Sequence, residues 1–119
     1  MSISHAVQQA LDYFSNSPEW FEMVNQTKKV AGFRLKGIYP LALILENQGI
    51  TIFVQQGSWL SNPTLRILQR TDYQPEQTRN SNLKSCAPEL YEGHAAACIK
   101  VPDLAALQEL CRICVFRRS

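Results

Sequence analysis

Four cysteines and two histidines are the residues of this chain with the clearest capacity for chemistry. Cys111-Arg-Ile-Cys114 has the CxxC spacing shared by zinc knuckles and redox dithiols, and Cys86, Cys98 and His94 would complete a ligand set. Position argues against both uses. A redox CxxC draws its low thiol pKa from a helix N-terminus, and this pair falls near the end of the last expected helix, where the dipole has the opposite sign. Zinc sites bring two short-spaced pairs together, whereas eleven residues stand between Cys86 and Cys98. The thiols therefore read as small buried hydrophobes, and no metal or cofactor is expected. His94 with Glu89 or Glu92 has the makings of a general base or a metal ligand. The simpler reading of His94, and of His5 near the start, is an exposed imidazole without a task.

Charge and aromatic residues give the other candidates. Residues 1–26 hold Asp12, Glu19 and Glu22 and no Lys or Arg, and Lys28, Lys29, Arg34 and Lys36 then follow without an acid. A strand with that basic edge can meet phosphate, so these four are the candidate nucleic-acid contacts. The competing reading is a solvated edge on which Lys discourages strand-to-strand aggregation. The net charge of +2 gives little support to a strong nucleic-acid binder. The polar stretch Thr71–Ser85 carries Arg79, Asn80, Asn82 and Lys84 and reads as a long loop, which in a compact domain is often functional. Trp59 sits in the connection ahead of it. With Tyr73 it would wall a small-ligand pocket, the alternative being plain core packing.

These residues need elements to hold them. Val7, Ala10, Leu11 and Phe14 fall at helical spacing within residues 4–15, with Ser2 or Ser4 as cap. Ser17, Pro18 and Glu19 suit the cap and first turn of a second helix that carries Trp20, Phe21, Met23 and Val24 and frays by Asn25–Gln26. Val30–Lys36 alternates apolar and polar residues as a half-buried strand does. Gly37 marks a turn. Leu41–Leu45 is continuously apolar, as a strand covered on both faces should be. Glu46–Gly49 is a turn, and Ile50, Ile52 and Val54 complete an antiparallel hairpin. Asn62–Pro63 is a start signal for a short helix through Leu65, Ile67 and Leu68, although LRILQRT also suits a strand. Ala95–Val101 is the last strand. Pro102 ends it, and Asp103 caps a final helix with Leu104, Leu107, Leu110, Cys111 and Cys114 as its stripe and Arg117 and Arg118 at its end.

Two resemblances follow from these motifs. Gly37-Ile38-Tyr39 resembles the first triplet of the GIY-YIG nucleases, a family with a second triplet on the next hairpin strand, an Arg on a following helix and a metal-binding Glu. Phe53-Val54-Gln55, Arg66 and Glu76 or Glu89 would take those places, but Phe53 has no hydroxyl and Gln55 is not glycine. The order of elements from KKVAGFRLKG through GITIFVQQ to IKVPDLAALQELCRIC resembles small bacterial domains of the YdhG-like and MmcQ/YjbR-like kind, over residues 28–114. That resemblance implies nucleic-acid binding, which has been proposed for some members.

The expectation is one α+β domain over residues 1–119, with an antiparallel sheet of four to five strands flanked by N-terminal helices and a C-terminal helix. Its core should include Leu11, Phe14, Phe21, Val24, Phe33, Leu35, Leu43, Leu45, Ile52, Val54, Ile99, Val101, Leu107 and Leu110. The start lacks a basic segment followed by an apolar one, and no apolar run approaches the ~20 residues that span a bilayer, so the expected setting is cytoplasmic with free thiols. The function that fits is a non-enzymatic binding or regulatory module for a protein or nucleic-acid partner, and Val30–Lys36 as an open edge would admit a homodimer. A small-molecule site near Trp59 and Tyr73 is the second reading, and a divergent nuclease using Tyr39, Arg66 and an acid is the third.

Overall fold

A computed structural model describes residues 3–79, 81–91 and 93–116. Its frame is a six-stranded antiparallel sheet, an α+β arrangement with one strand more than the upper sequence expectation. Helix α1 (His5–Ser15) leads into β1 (Phe21–Gln26), β2 (Val30–Leu35), β3 (Tyr39–Ile44) and β4 (Ile50–Gln55), a meander of neighbouring strands. A 3₁₀ turn (Ser58–Ser61) and an irregular stretch then lead to β5 (Gln69–Tyr73). Two short helices follow, α2 (Leu83–Cys86) and α3 (Pro88–Tyr91). Strand β6 (Ala96–Val101) then inserts between β4 and β5, and α4 (Leu104–Phe116) closes the fold. Among the described residues no helix is long and apolar enough to cross a membrane.

The apolar residues divide between two faces. Helices α1 and α4 cover the first, where Val7, Leu11 and Phe14 meet Phe33, Leu43, Ile52, Ile99, Leu107 and Leu110. The ring of Phe14 lies 4.5 Å from that of Phe21 and 4.7 Å from that of Phe33, tilted as aromatic quadrupoles prefer. Ser4 caps α1, its hydroxyl accepting from Val7 N–H and donating to the Gln48 carbonyl in the β3–β4 turn. On the second face α2 and α3 cover only part of the sheet, with Leu83, Cys86 and Leu90 over Val30, Ala42, Ile44 and Phe53. Burial on both faces explains the continuous apolar run of β3, all six residues of which are buried.

Three sequence expectations are corrected. Residues 17–21 do make one turn, since the N–H groups of Trp20 and Phe21 both reach the Ser17 carbonyl, but no second helix grows from it. From Phe21 the chain pairs with β2 instead, and a ladder with a ready strand outweighs a weakly propagating helix. Val24 therefore leaves the expected core and stands 42% exposed at a β-bulge, while the other thirteen expected core residues are buried. Asn62–Pro63 does not start a helix. The Asn62 side chain accepts from the N–H and hydroxyl of Thr64, a local turn that competes with helix, and the chain extends into β5. Finally, β2 is not an edge, because β1 covers it; the edges are β1 and β5.

Gly32 is the point where α2 meets the sheet. A Cβ there would lie 1.9 Å from the Cys86 carbonyl oxygen, so the backbones touch where any side chain would stand. The Cys86 thiol donates to the Val30 carbonyl at 3.4 Å beside it. Gly32→Ala must lift α2 from β2 and should lower unfolding free energy by at least ~1–3 kcal/mol in urea titrations. A Gly37→Ala control, in open space but at φ +71°, tests backbone strain alone.

The first face also carries buried acids that stay protonated. Burial first, and then the neighbouring Cys114, push the Cys111 thiol far above its ordinary value. Burial, and then Cys111, push Tyr13 from 10.0 up to about 12. Both groups ionise more readily in the unfolded chain. Their contribution to stability is full below the unfolded pKa values and is lost as pH rises from ~9 towards 12. Denaturation midpoints should fall steadily over that window and stay flat below about pH 7.5 as far as these two groups are concerned.

Candidate functional site

The residues singled out from sequence do not form one site. Trp59 is buried in the first-face core, whereas Tyr73 packs against the second-face cluster, its ring 5.9 Å from that of Phe53. The sheet separates them, so they do not wall a common pocket. Arg79 was expected to present its charge to a ligand, but it is only 6% exposed. Its guanidinium donates to the carbonyls of Gln74, Gln77, Leu90 and His94, with the last two bonds at 3.0 Å, and lies over the Tyr73 ring. Residues 71–85 are thus not an open loop: β5 takes the start, α2 the end, and Arg79 ties down the middle. Asn82 faces the Thr27 hydroxyl at 3.5 Å, and Lys84 is exposed on α2. Asn80, Glu92, Ser2, Arg117 and Arg118 lie outside the described residues.

The four basic residues are also dispersed. Lys28 and Lys29 occupy the β1–β2 turn, with Lys29 3.8 Å from Glu46. Arg34 and Lys36 belong to the far end of that hairpin. Arg34 pairs with Glu89 on the second face, and the Lys36 ammonium sits 4.7 Å above the Trp20 ring. Strand β2 is six residues long, so its two ends lie ~20 Å apart.

The nuclease set is scattered as well. Gly37 is a turn residue at φ +71°, and Ile38 beside it is exposed rather than packed in a strand. Tyr39 is buried in the first-face core, Glu89 is engaged by Arg34 on the other face, and Arg66 holds Asp103 with bonds of 3.1 and 3.2 Å at the opposite end of the sheet. The Asp103 carboxyl is held below its usual range by the Ala106 N–H it caps and by Arg66. Cys111 and Cys114 belong to the first face and Cys86 and Cys98 to the second, so they share no centre. Among the described residues no group of three or more His, Cys, Asp or Glu is placed to hold a metal ion.

A different set of residues does converge. Helices α2 and α3 leave the second face bare over the far ends of β4, β6 and β5, around Thr51, Lys100 and Gln69. There Asn47, Thr51, Gln69, Thr71, Cys98 and Lys100 line an open trough of about 230 Å³. Register builds its floor. Thr51, Lys100 and Gln69 stand in one cross-strand row, and Cys98 and Thr71 stand in the next. Asn47 closes the end, donating from Nδ2 to the Thr51 hydroxyl at 2.9 Å. The stem of Lys100 runs along the β3–β4 turn, where a Cβ on Gly49 would meet its Cε at 3.4 Å. Its ammonium makes no ion pair among the described residues. Burial raises the Cys98 thiol above its ordinary pKa, so at neutral pH it is a neutral S–H rather than a nucleophilic thiolate. The trough therefore offers one cation, two amides and two hydroxyls.

Sequence reasoning singled out Cys98 only as a possible metal ligand and missed the other five, because Asn47 is an ordinary turn residue and Thr51, Gln69, Thr71 and Lys100 are ordinary polar positions on strands. The alternation of Ile99 and Val101 with Cys98 and Lys100 was visible, but the insertion of β6 beside β5 was not. No family model, curated protein or solved structure matches this chain.

Arg79 yields a direct test. Arg79→Met leaves the Leu90 and His94 carbonyls without their donor and should cost ~3 kcal/mol of stability, since hydrogen bonds to charged groups are the strong ones. Arg79→Lys should recover little, because an ammonium lacks the planar fork that reaches several carbonyls at once. Hydrogen exchange confined to residues 74–94 would rise in both variants.

Proposed function

We propose that this chain is a binding module whose ligand lies in the polar trough on the second sheet face and carries an anionic group, carboxylate or phosphate. The observation that carries this reading is the isolation of Lys100 among neutral hydrogen-bonding side chains on a sheet surface the helices leave open. An ammonium flanked by hydroxyls and amides favours an anion with further polar groups. The ligand binds as a guest of a rigid floor, since strands hold side chains more firmly than loops do. The nucleic-acid reading implied by the layout resemblance has less support, because Lys28 and Lys29 stand far from Arg34 and Lys36, and Arg34 already has a carboxylate partner.

Amide chemical-shift mapping tests this. Titration with inorganic phosphate, and separately with succinate, should move the signals of residues 47–51, 69–71 and 98–100. Lys100→Met should weaken that response at least tenfold while leaving the spectrum otherwise folded. No shifts in the trough, or shifts unchanged by Lys100→Met, would overturn the reading. Salt-sensitive shifts at Lys28, Lys29, Arg34 and Lys36 on adding a single-stranded oligonucleotide would instead select nucleic acid.

A further inference from the structure

The two edges of the sheet differ in how they are guarded. Strand β1 has a bulge between Met23 and Asn25 and is followed by Lys28 and Lys29, two devices that discourage pairing with another strand. Strand β5 has neither. Its five residues pair with β6 in unbroken register from Gln69 to Tyr73, and Gln69 through Asp72 are exposed. No proline interrupts it, and Leu68 just before it is 63% exposed. A regular edge strand presents a row of backbone N–H and C=O groups to whatever strand comes next.

The sequence of β5 is complementary to itself. Laid antiparallel against a second copy with the two-fold axis at Thr71, Arg70 faces the partner's Asp72 and Asp72 faces the partner's Arg70. Thr71 faces the partner's Thr71, and Gln69 faces the partner's Tyr73. Opposite charges and Thr–Thr are among the favourable cross-strand pairs. Arg70 and Asp72 already bond each other at 2.8 Å within one chain, so pairing would join two such couples into a four-charge network. Both side chains are exposed enough to reach across, at 31% and 47%.

We infer that β5 is a self-association surface, and that its partner is a second copy of this chain paired antiparallel about Thr71. Such a contact is isologous and closes on itself, giving a dimer rather than a fibre. Strands paired about a two-fold normal to the sheet keep their faces on the same side. The trough of one copy then continues into that of the other, and the partner's Thr71 and Tyr73 border the side that is open along β5 in a single chain. The inference rests on the edge and its charges and stands independently of any ligand in the trough. A strand pair of this length is at the small end of specific interfaces, so the dimer should depend on concentration.

Charge exchange in ligand-free sedimentation equilibrium is the test. The unaltered chain should sediment as a monomer–dimer mixture that shifts to dimer as its concentration rises. Arg70→Asp alone and Asp72→Arg alone each set like charges opposite one another, and each should raise the dissociation constant at least tenfold while circular dichroism stays unchanged. An equimolar mixture of these two variants, or the double variant Arg70→Asp/Asp72→Arg, restores opposite charges at every position and should recover association. A monomer at all concentrations overturns the inference, as does a dimer indifferent to the single changes or one not rescued by mixing. Because no ligand is present, a monomeric result leaves the anion-binding reading to its own titration.

Discussion

The buried guanidinium of Arg79 organises the part of the fold that has least secondary structure. Among the described residues, 74–94 contain only two four-residue helices, too short to hold themselves, and neither belongs to a strand ladder. One planar cation gathers carbonyls from Gln74, Gln77, Leu90 and His94 and so fixes the distance between the start and the end of the segment. Among the described residues no acid pairs with it, and carbonyl dipoles and the face of Tyr73 stabilise the charge.

From that anchor the second face follows. With the segment held, Leu83, Cys86 and Leu90 can be delivered to the sheet, and Gly32 lets the α2 backbone settle directly on β2. Two such short helices cover β2, β3 and the ends of β4, β6 and β5 around Phe53, Ala96 and Tyr73. The strands beyond them carry Thr51, Thr71, Lys100 and Gln69 on this face, residues at ease in water. The trough is thus the complement of the helices. It exists because the covering layer is short and because β6, whose other face is fully apolar, alternates to Cys98 and Lys100 here.

What could be read from the sequence followed what local pattern encodes. The first helix, two of the hairpin strands and the closing helix carry a clear periodicity, β3 a continuous apolar run, and thirteen of the fourteen expected core positions are buried. The failures share a cause. Met23 and Val24 suit a helix as well as a strand, and the decision was made by β2, a neighbour in space. Arg79 looked available for a ligand because its carbonyl partners are scattered over residues 74–94 and carry no side-chain signature. Trp59 and Tyr73, fourteen positions apart in the chain, were parted by a sheet whose faces are assigned only once register is known. The trough needed still more, because its rows join β4, β6 and β5 in an order that departs from the chain order.

That departure also explains why β5 is an edge of unusual regularity. Had the chain continued as a meander, β5 would have paired with β4, and its outer side would have been covered by the next strand. Instead β6 lies between them, which places β5 at the rim. It carries no bulge, since β6 pairs with it residue for residue from Gln69 to Tyr73. At the other rim β1 pairs regularly from Phe21 to Met23 and then bulges at Val24. One rim therefore carries a bulge that disfavours further pairing, while the other keeps a regular register, with Arg, Thr and Asp in an order that reads as its own complement.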